Sequence, residues 1–320
     1  MANATLSICL PVFNDVQELS KTLVSIKKLE SSLDFSLYKN IEVMISDNQS
    51  DDGGWDLIQS FELEHIQLRK FRQPRNLGFR GNIEYLAQNA SLEWILYLSC
   101  GDILIPSFNF GGLLDQLDQT LCGTAFYGFE MFDALTGNRF SGASLSGDFA
   151  KAQDQVLYSA APMPLYKAKA LQGALANLEP ISGDWWPQIE WALALSAETG
   201  VAAYLGEGPI TGNRPEIGWW VKPFAYVNVA EKAKLLSHWA PRHRASTKLL
   251  NESRKVWRTL PAWVFQTKVV FHNKTVLKDF QIVAPNLKNA PFPVLASLSI
   301  LLTPRFILEA IRRLLRTLKS

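Results

Sequence analysis

The chain has 320 residues, of which 48% are hydrophobic and 19% are charged. This composition excludes a disordered chain, gives no support for a multi-pass membrane protein, and allows one large domain or two smaller ones. The net charge of +2 is unevenly distributed, since residues 1–230 carry 15 basic and 26 acidic side chains whereas residues 231–320 carry 17 and 4. A segment with such an excess of basic residues predicts binding to phosphate, either in nucleic acid or on an anionic membrane.

The N-terminal residues and the cysteines indicate a cellular compartment. The first five residues lead directly into a strand pattern, without the basic and apolar segments of a secretory signal peptide. The cysteines Cys9, Cys100 and Cys122 lack metal-ligand spacing, and the four histidines give no zinc signature. We therefore expect reduced thiols and a cytoplasmic protein rather than a disulfide-stabilised secreted one.

Strand and helix patterns alternate through the first hundred residues. This alternation predicts a parallel sheet with helices on both faces and right-handed crossovers. The chain lacks the glycine pattern of dinucleotide-binding proteins, and it has no P-loop. Strands are predicted at 6–12, 41–45, 66–72 and 94–98, and helices at 16–26, 55–61 and 82–90.

Beyond residue 102 the pattern becomes less regular. We predict a globular domain at 1–222, with halves at 1–105 and 106–222, and a helical basic region at 223–320 that is broken at prolines including Pro241 and Pro261. Within the second half, strands are predicted at 124–132, 161–166 and 201–205, helices near 113–117, 167–176 and 189–195, and a Gly/Ser-rich loop at 136–147.

The basic C-terminal region predicts contact with a membrane surface. Residues 292–302 are apolar, but they are fewer than the ~20 residues that a spanning helix needs. Residues 305–319 place apolar side chains on one side of a helix and most Arg and Lys side chains elsewhere, which suits the interface of an anionic leaflet. The interleaved apolar residues favour a membrane over nucleic acid, and an ordinary helical subdomain is the alternative.

The apolar run at 94–98 ends abruptly in Ser99-Cys100-Gly101-Asp102. Five apolar residues in a row predict a strand that is covered on both faces. In an open α/β sheet, ligands bind beyond the carboxyl ends of strands, so Asp102 stands where a functional side chain is expected. From this stretch alone, a helix or turn cap is an equally good interpretation.

Four motifs occur in order along the first half of the chain: Leu10-Pro11-Val12-Phe13-Asn14, Ile45–Gly53, Arg75-Asn76-Leu77-Gly78 and Leu98–Pro106. In their order and spacing they resemble the family 2 glycosyltransferases, and Ser46-Asp47-Asn48 resembles the abequosyltransferase-like branch. The resemblance covers roughly the first 110 residues well and about 100 more loosely. It implies an α/β fold of the GT-A type, Rossmann-like, with a mostly parallel central sheet flanked by helices and, here, a basic helical C-terminal extension.

The resemblance implies a nucleotide-sugar donor site in residues 1–105. Asp47 matches the family's carboxylate that accepts hydrogen bonds from the base or the ribose, and the loop arginines Arg75 and Arg80 are suited to bidentate binding of the diphosphate. The alternatives are an Asx-turn cap for Asp47–Asp52 and a solvated loop for the arginines. The predicted donor-binding residues are Pro11, Phe13, Asn14, Asp47, Asn48, Arg75, Asn76, Gly78 and Arg80.

Asp102 is the metal ligand that the resemblance implies. Family members usually carry Asp-x-Asp here, often followed by another Asp, and hold Mg²⁺ or Mn²⁺ that bridges the diphosphate. In this chain Ser99, Cys100 and Gly101 precede Asp102, so only the trailing carboxylate is retained. We predict Mg²⁺ or Mn²⁺ at Asp102, and the alternative is a metal-free site in which arginines neutralise the charge.

The second half of the domain is expected to supply the general base and the acceptor site. The family's base is an Asp in a loop just before a helix, and Asp184 matches it by position. A helix N-cap is its alternative role, and Glu190, expected further along the helix and facing solvent, is the fallback base. Trp185 and Trp186 are predicted to form an apolar face for the acceptor sugar, with core or membrane-interface packing as the alternative.

These interpretations predict an inverting, hexosyltransferase-type glycosyltransferase of cell-surface glycan biosynthesis. Its partners would be a nucleoside diphosphate sugar, a lipid-linked or polysaccharide acceptor, and an anionic membrane whose cytoplasmic face it binds peripherally, with no nucleic acid. The incomplete acidic motif supports one alternative, a catalytically silent relative that binds sugar nucleotide or membrane and acts as a scaffold.

Overall fold

The computed structural model describes residues 4–133, 139–141, 164–181, 186–197, 203–214, 225–242, 244, 246–270, 291–303, 307–308 and 310–311. The chain divides into two compact units, the first formed by residues 1–179 and 187–216 and the second by residues 180–186 and 217–320. Several predictions fall outside the described residues, wholly or in part. They are Asp184 with Trp185, the loop at 136–147 except for 139–141, the first half of the strand at 161–166, the domain boundary between 222 and 223, and most of the helix at 305–319.

One mixed sheet forms the centre of the first unit. Its order is β3-β2-β1-β4-β8-β6-β9-β5, and β7 pairs with β6 outside this path. β1, β2, β3 and β4 pair in parallel, which confirms the α/β sheet that the alternating pattern predicts. The strands are β1 (Leu6–Val12), β2 (Ile41–Asp47), β3 (Gln67–Arg72), β4 (Trp94–Tyr97), β5 (Asp102–Leu104), β6 (Thr124–Asp133), β7 (Arg139–Ser141), β8 (Leu165–Lys167) and β9 (Ala203–Arg214).

The helices of the first unit connect these strands, and the main hydrophobic core forms between them. β1, β2 and β4 are buried along their whole length, as expected of parallel strands covered on both faces, whereas the edge strand β3 is partly exposed. The helices are α1 (Val16–Ser32), α2 (Gly54–Ser60), α3 (Gly78–Asn89), α4 (Phe110–Asp118), α5 (Ala168–Leu175) and α6 (Pro187–Ser196).

Helix α3 begins at Gly78, four residues before the start that apolar spacing predicted. Its first residues offer little apolar periodicity, so the sequence pattern gave no sign of this turn. The side chain of Asn48 accepts a hydrogen bond from the Leu77 N–H (2.8 Å) and donates one to the Gly78 carbonyl (3.0 Å). These long-range contacts fix the first turn of α3 at the end of β2.

The stretch from Trp94 to Leu104 forms two strands that have different partners. β4 pairs in parallel with β1, whereas β5 pairs antiparallel with β9. Gly101, in the turn between them, has a φ of +91°, and the Asp102 N–H donates to the Ser99 carbonyl (3.0 Å). The apolar run predicted the first strand but not this turn or the second strand.

Strand β9 extends to Arg214, well beyond the predicted segment at 201–205. It pairs in parallel with β6 from Ala203 onwards and antiparallel with β5 at Ile210–Gly212. Pairing on both sides stabilises an extended chain through a Gly-containing stretch whose own strand propensity is low.

The second unit contains helices α7 (Ala225–Trp239), α8 (Ser246–Val270) and α9 (Pro291–Leu302), with a short 3₁₀ helix at Ala240–Arg242. Pro261 lies inside α8, so the break predicted at this proline is wrong. Within the described residues, no helix is both long and apolar enough to cross a membrane. A separate small core joins the three helices and contains Ala230, Ala233, Trp257, Leu260, Val264, Val294 and Leu301.

Candidate active site

Polar loops follow β1, β2 and β3 at the carboxyl edge of the parallel sheet, and hydrogen bonds join them. The Asn14 N–H donates to Ser50 Oγ (3.0 Å), and the Asn48 N–H donates to the Val12 carbonyl (2.8 Å). The carboxyl ends of adjacent parallel strands meet at one edge, which is where ligands bind in open α/β sheets. The structure therefore brings the predicted residues of the first three motifs together.

The carboxylate of Asp47, at the end of β2, is fully buried. Its Oδ1 accepts a hydrogen bond from the Ser50 N–H (3.1 Å), so the Asx-turn contact of the alternative interpretation is present. Its Oδ2 lies 3.3 Å from Arg72 Nε, because Asp47 and Arg72 are partners in the register of β2 and β3. This ion pair was not predicted, since only the strand register reveals it.

Asn48 organises the loop that precedes α3. Besides its bonds to the backbone of residues 77 and 78, its amide donates to Asn76 Oδ1 (2.9 Å). Asn76 Oδ1 in turn accepts the Gly78 N–H (2.8 Å), and Gly78 has a φ of +75°, which favours glycine. Asn48, Asn76 and Gly78 are thus predicted donor residues that the structure places in one hydrogen-bonded cluster.

The turn after β1 has a conformation that few residues adopt. Asn14 has a φ of +47°, and its Oδ1 accepts a hydrogen bond from the Asp51 N–H (2.9 Å). Phe13 is 45% exposed, whereas Pro11 is buried within β1. Of the predicted residues, Phe13 and Asn14 are therefore accessible at the surface of this turn, whereas Pro11 is enclosed in the sheet.

Asp52 caps two helices. Its Oδ2 accepts the Val16 N–H at the start of α1 (2.8 Å), and its Oδ1 accepts the Gly54 N–H at the start of α2 (2.9 Å). Backbone N–H groups in the first turn of a helix lack intrahelical partners, and a carboxylate satisfies them. The capping interpretation therefore accounts for Asp52.

The two predicted arginines lie in different environments. Arg75 is exposed in the loop before α3, and among the described residues no carboxylate lies within ion-pair distance of it. Arg80 does not lie in a loop, because it is the third residue of α3. Its side chain is largely buried, with ion pairs to Glu84 (3.0 Å) and Glu190. The predicted loop position and the alternative of a solvated loop are therefore both wrong for Arg80.

Glu190 is fully buried in the first turn of α6, so the expectation that it faces solvent is wrong. The first turns of α6 are held inward by neighbouring groups. The Tyr166 hydroxyl donates to the Gln188 carbonyl (2.6 Å), and the Trp191 ring lies 6.1 Å from that of Tyr97. A continuous apolar pattern around this helix gave no indication of which face would carry Glu190.

Asp102 lies at the start of β5 and is 8% exposed. Burial raises its pKa to about 7, although the Ser99 N–H donates a hydrogen bond of 2.7 Å to Oδ2 and opposes the shift. The phenol of Tyr127 is also buried, and its pKa is raised by burial and, to a smaller extent, by the charge of Asp102. The sequence did not indicate that Tyr127 lies near Asp102, because it belongs to the apolar pattern of β6.

The ligands available around Asp102 determine whether it can hold a divalent cation. Mg²⁺ and Mn²⁺ sites in proteins usually gather several oxygen ligands. Across the part of the chain that the structure describes, no group of three or more His, Cys, Asp and Glu side chains is placed to hold a metal ion. The described side chains therefore do not by themselves form a metal site at Asp102.

Trp186, predicted to contact the acceptor, belongs to the second unit and is 5% exposed. The ammonium nitrogen of Lys232 on α7 lies 4.6 Å from the centre of its ring. This buried position agrees with core packing, which was the alternative interpretation of Trp186. Its neighbour Trp185 and the predicted base Asp184 lie outside the described residues, so their positions stay predictions.

A parallel sheet with connected polar loops at its carboxyl edge defines an α/β protein whose ligand site is expected at that edge. The sequence model of glycosyl transferase family 2 matches residues 7–171, slightly more than half of the chain. The chain therefore belongs to glycosyl transferase family 2, as the four motifs indicated. The comparison with curated proteins found no significant match.

Solved structures show the same fold at low sequence identity. TarS residues 1–349 from S. aureus in complex with UDP-GlcNAc is 12% identical with a TM-score of 0.62, and the match covers 97% of this chain and 92% of that one. The same TarS fragment without that ligand is 11% identical with a TM-score of 0.59, covering 97% and 91%. The mannosyltransferase PcManGT from Pyrobaculum calidifontis, in complex with GDP-Man and Mn²⁺, is 12% identical with a TM-score of 0.52, covering 97% and 86%. These likenesses show the GT-A fold.

Proposed function

We propose that this glycosyltransferase moves a hexosyl group, with inversion at the anomeric carbon, from a nucleoside diphosphate sugar to a hydroxyl of a lipid-linked or polysaccharide acceptor. The main support is that five of the predicted donor-binding residues meet at one edge of the sheet in a member of family 2. They are Asn14, Asp47, Asn48, Asn76 and Gly78. Ser46-Asp47-Asn48 also supports a place in the abequosyltransferase-like branch.

The donor would bind across this edge. Asp47 is suited to the base or the ribose only if the donor takes over a contact now made by Ser50 or Arg72, since the carboxylate is buried. The exposed Phe13 provides an apolar surface beside the nucleoside, and the exposed guanidinium of Arg75 is suited to bidentate contact with the diphosphate. Structures of two GT-A proteins with UDP-GlcNAc and with GDP-Man support a nucleotide-sugar donor for this chain.

The proposed reaction needs one proton transfer and one displacement. Asp184, three residues before α6, accepts the proton of the acceptor hydroxyl as the new bond forms between that oxygen and the anomeric carbon. The bond between the anomeric carbon and the diphosphate oxygen breaks, and its electron pair leaves with the nucleoside diphosphate. Attack opposite the leaving group inverts the anomeric configuration. The position of Asp184 in the sequence supports this role.

A membrane-linked acceptor is supported by one face of α9. Phe292, Leu295 and Leu302 share this face at helical spacing and are 84%, 51% and 68% exposed. Exposed apolar side chains beside a segment with 17 basic and 4 acidic residues suit an anionic membrane surface. We propose that this face docks peripherally on the cytoplasmic leaflet.

The donor proposal is tested by thermal unfolding with a panel of nucleoside diphosphate sugars, with and without Mn²⁺. A donor at 100 times its Kd stabilises by about 2.7 kcal/mol, which raises Tm by several degrees in a protein of this size. Asp47→Asn should reduce the shift, and Asp56→Asn, an acidic-to-amide change in helix α2, is the matched control. If no member of the panel shifts Tm, the proposed function is wrong.

The membrane proposal is tested by sedimentation with vesicles that contain phosphatidylserine. The triple variant Phe292→Ser, Leu295→Ser, Leu302→Ser should remain in the supernatant while the wild type sediments. Val24→Ser removes an apolar side chain of 52% exposure from α1 and should sediment like the wild type. A wild-type protein that stays in the supernatant with anionic vesicles would contradict membrane docking.

The scaffold alternative is favoured by one observation, the replacement of the usual carboxylates by Ser99 and Gly101. It predicts that a donor binds and stays intact. Incubation of the protein with a stabilising donor, followed by chromatography for free nucleoside diphosphate, separates the two functions. Hydrolysis or transfer supports the enzyme, whereas an intact donor with clear binding supports the scaffold.

A further inference from the structure

An ion pair between Arg80 and Glu190 joins helices α3 and α6, across 110 residues of sequence. Glu190 is fully buried in the first turn of α6, and Arg80 is 9% exposed in the first turn of α3. A second carboxylate, Glu84, holds the same guanidinium from one turn along α3 (3.0 Å). A charged hydrogen bond with a planar guanidinium is directional, so it fixes how the two first turns lie relative to each other.

The α3 end of this connection is fixed to the carboxyl edge of the sheet. Asn48, which follows β2, bonds to the side chain of Asn76 and to the backbone of residues 77 and 78. Arg80 follows two residues after Gly78, within the same helical turn. The guanidinium is therefore held in a defined position relative to the loops proposed to bind the donor.

In the chain, α6 follows the segment proposed to carry the base. α6 begins at Pro187, three residues after Asp184, and Glu190 is the fourth residue of the helix. We propose that Arg80 and Glu190 are positioning residues whose ion pair fixes the orientation of the first turn of α6 relative to the carboxyl edge of the sheet. The inference rests on the proposed function for its catalytic consequence, but the anchoring of α6 is measurable without any substrate.

Other contacts keep α6 folded when the ion pair is removed. The Tyr166 hydroxyl donates to the Gln188 carbonyl (2.6 Å), and Trp191 lies against the rings of Tyr97 (6.1 Å) and Tyr166 (5.8 Å). The residues that make these contacts are buried and do not belong to the loops at the carboxyl edge of the sheet. We therefore expect the fold to persist when the pair is replaced.

The test replaces both charges together. Removing one partner leaves an uncompensated buried charge, whereas replacing a buried pair by apolar residues of similar volume is often neutral for stability. The double variant Arg80→Met/Glu190→Leu should therefore keep a Tm close to that of the wild type and a donor KM within about threefold. Its kcat should fall at least about tenfold, because apolar groups fill the space without fixing the orientation of the helix. Lys70→Met/Glu62→Leu, which removes an ion pair at the edge strand β3, is the matched control.

Hydrogen exchange of the α6 amides provides the readout that needs no substrate. In the double variant, peptides covering residues 187–191 should exchange at least about fivefold faster, while those covering β2 should be unchanged. A kcat within threefold of the wild type, or unchanged exchange in α6, overturns the inference. If the wild type transfers no sugar from any donor, the proposed function fails, and the exchange experiment still decides whether the pair anchors α6.

Discussion

Replacing Asp102 with Asn should remove a pH-dependent loss of stability from the protein. The folded pKa of this carboxyl is about 7, against an ordinary value of 3.8, because burial disfavours its charged form. Between these values the folded state keeps a proton that the unfolded state has released. The contribution of Asp102 to stability is therefore most favourable below pH 4, decreases as the pH rises towards 7, and is constant above about pH 8.

The size of the effect follows from the two pKa values. A difference of about three corresponds to a maximum of about 4 kcal/mol, since each pKa step is worth about 1.4 kcal/mol. Between about pH 5.5 and pH 8.5, linkage gives a loss of about 2 kcal/mol from this residue. In Asp102→Asn the amide oxygen can still accept the Ser99 N–H, so the variant lacks the titration but keeps the turn.

Thermal unfolding of both proteins at the two pH values, in EDTA, measures the effect. The wild type should lose about 4–8 °C more than Asp102→Asn on going to the higher pH, and the comparison cancels the other titrating groups. Parallel pH dependence in the two proteins would refute the reasoning. Adding Mn²⁺ at the higher pH tests the metal prediction, because a metal ligand predicts stabilisation of the wild type and not of the variant.

Three further predictions concern buried groups of the first unit. Glu42→Gln should lower stability by about 1–3 kcal/mol, because the carboxylate accepts hydrogen bonds from the hydroxyls of two serines. Burial raises the pKa of Glu42, but these hydrogen bonds outweigh burial, so its pKa is lowered overall. The wild type should then lose more stability in thermal unfolding than Glu42→Gln as the pH falls below the ordinary value of 4.5. Asn48→Ala should weaken donor binding at least about tenfold by calorimetry, because three side-chain hydrogen bonds to residues 76–78 are lost, and unchanged affinity would contradict the role of this cluster. Gly101→Ala should lower Tm, since its φ is +91° and the new Cβ would lie 2.9 Å from Glu18 Oε2, whereas Gly173→Ala in open space on α5 should not.

Local patterns were sufficient to predict the parallel part of the sheet. The apolar run at 6–12 coincides with β1, and the run at 41–45 lies within β2, because strands covered on both faces need continuous apolar sequence. The order of the four motifs then indicated glycosyl transferase family 2, which the match to the family's sequence model confirms. These features could be predicted because each depends on residues close together in the chain.

The environment of the site residues could not be predicted in the same way. The pairing of Asp47 with Arg72 depends on the register of two strands, and that of Arg80 with Glu190 depends on how distant helices pack. Burial also changes the chemistry of a residue without any sign in its neighbours, as the raised pKa of Asp102 illustrates. Local patterns suggest that charged residues face solvent. Buried charged residues are therefore the positions at which prediction from sequence fails most readily.

The turn between β4 and β5 explains why Asp102 is unusual. At Leu98 the chain still pairs with β1, through its N–H to the Cys9 carbonyl, and by Asp102 it pairs with β9 instead. The Gly101 N–H donates to Thr22 Oγ1 on α1 (2.9 Å), which draws this turn inward against the helix. A carboxylate at such a turn is desolvated by the strands on both sides, and it lies where the parallel part of the sheet gives way to the antiparallel part. A cation, a proton or a substrate hydroxyl could each stabilise its charge there, and the pH and Mn²⁺ experiments on Asp102→Asn distinguish the first two.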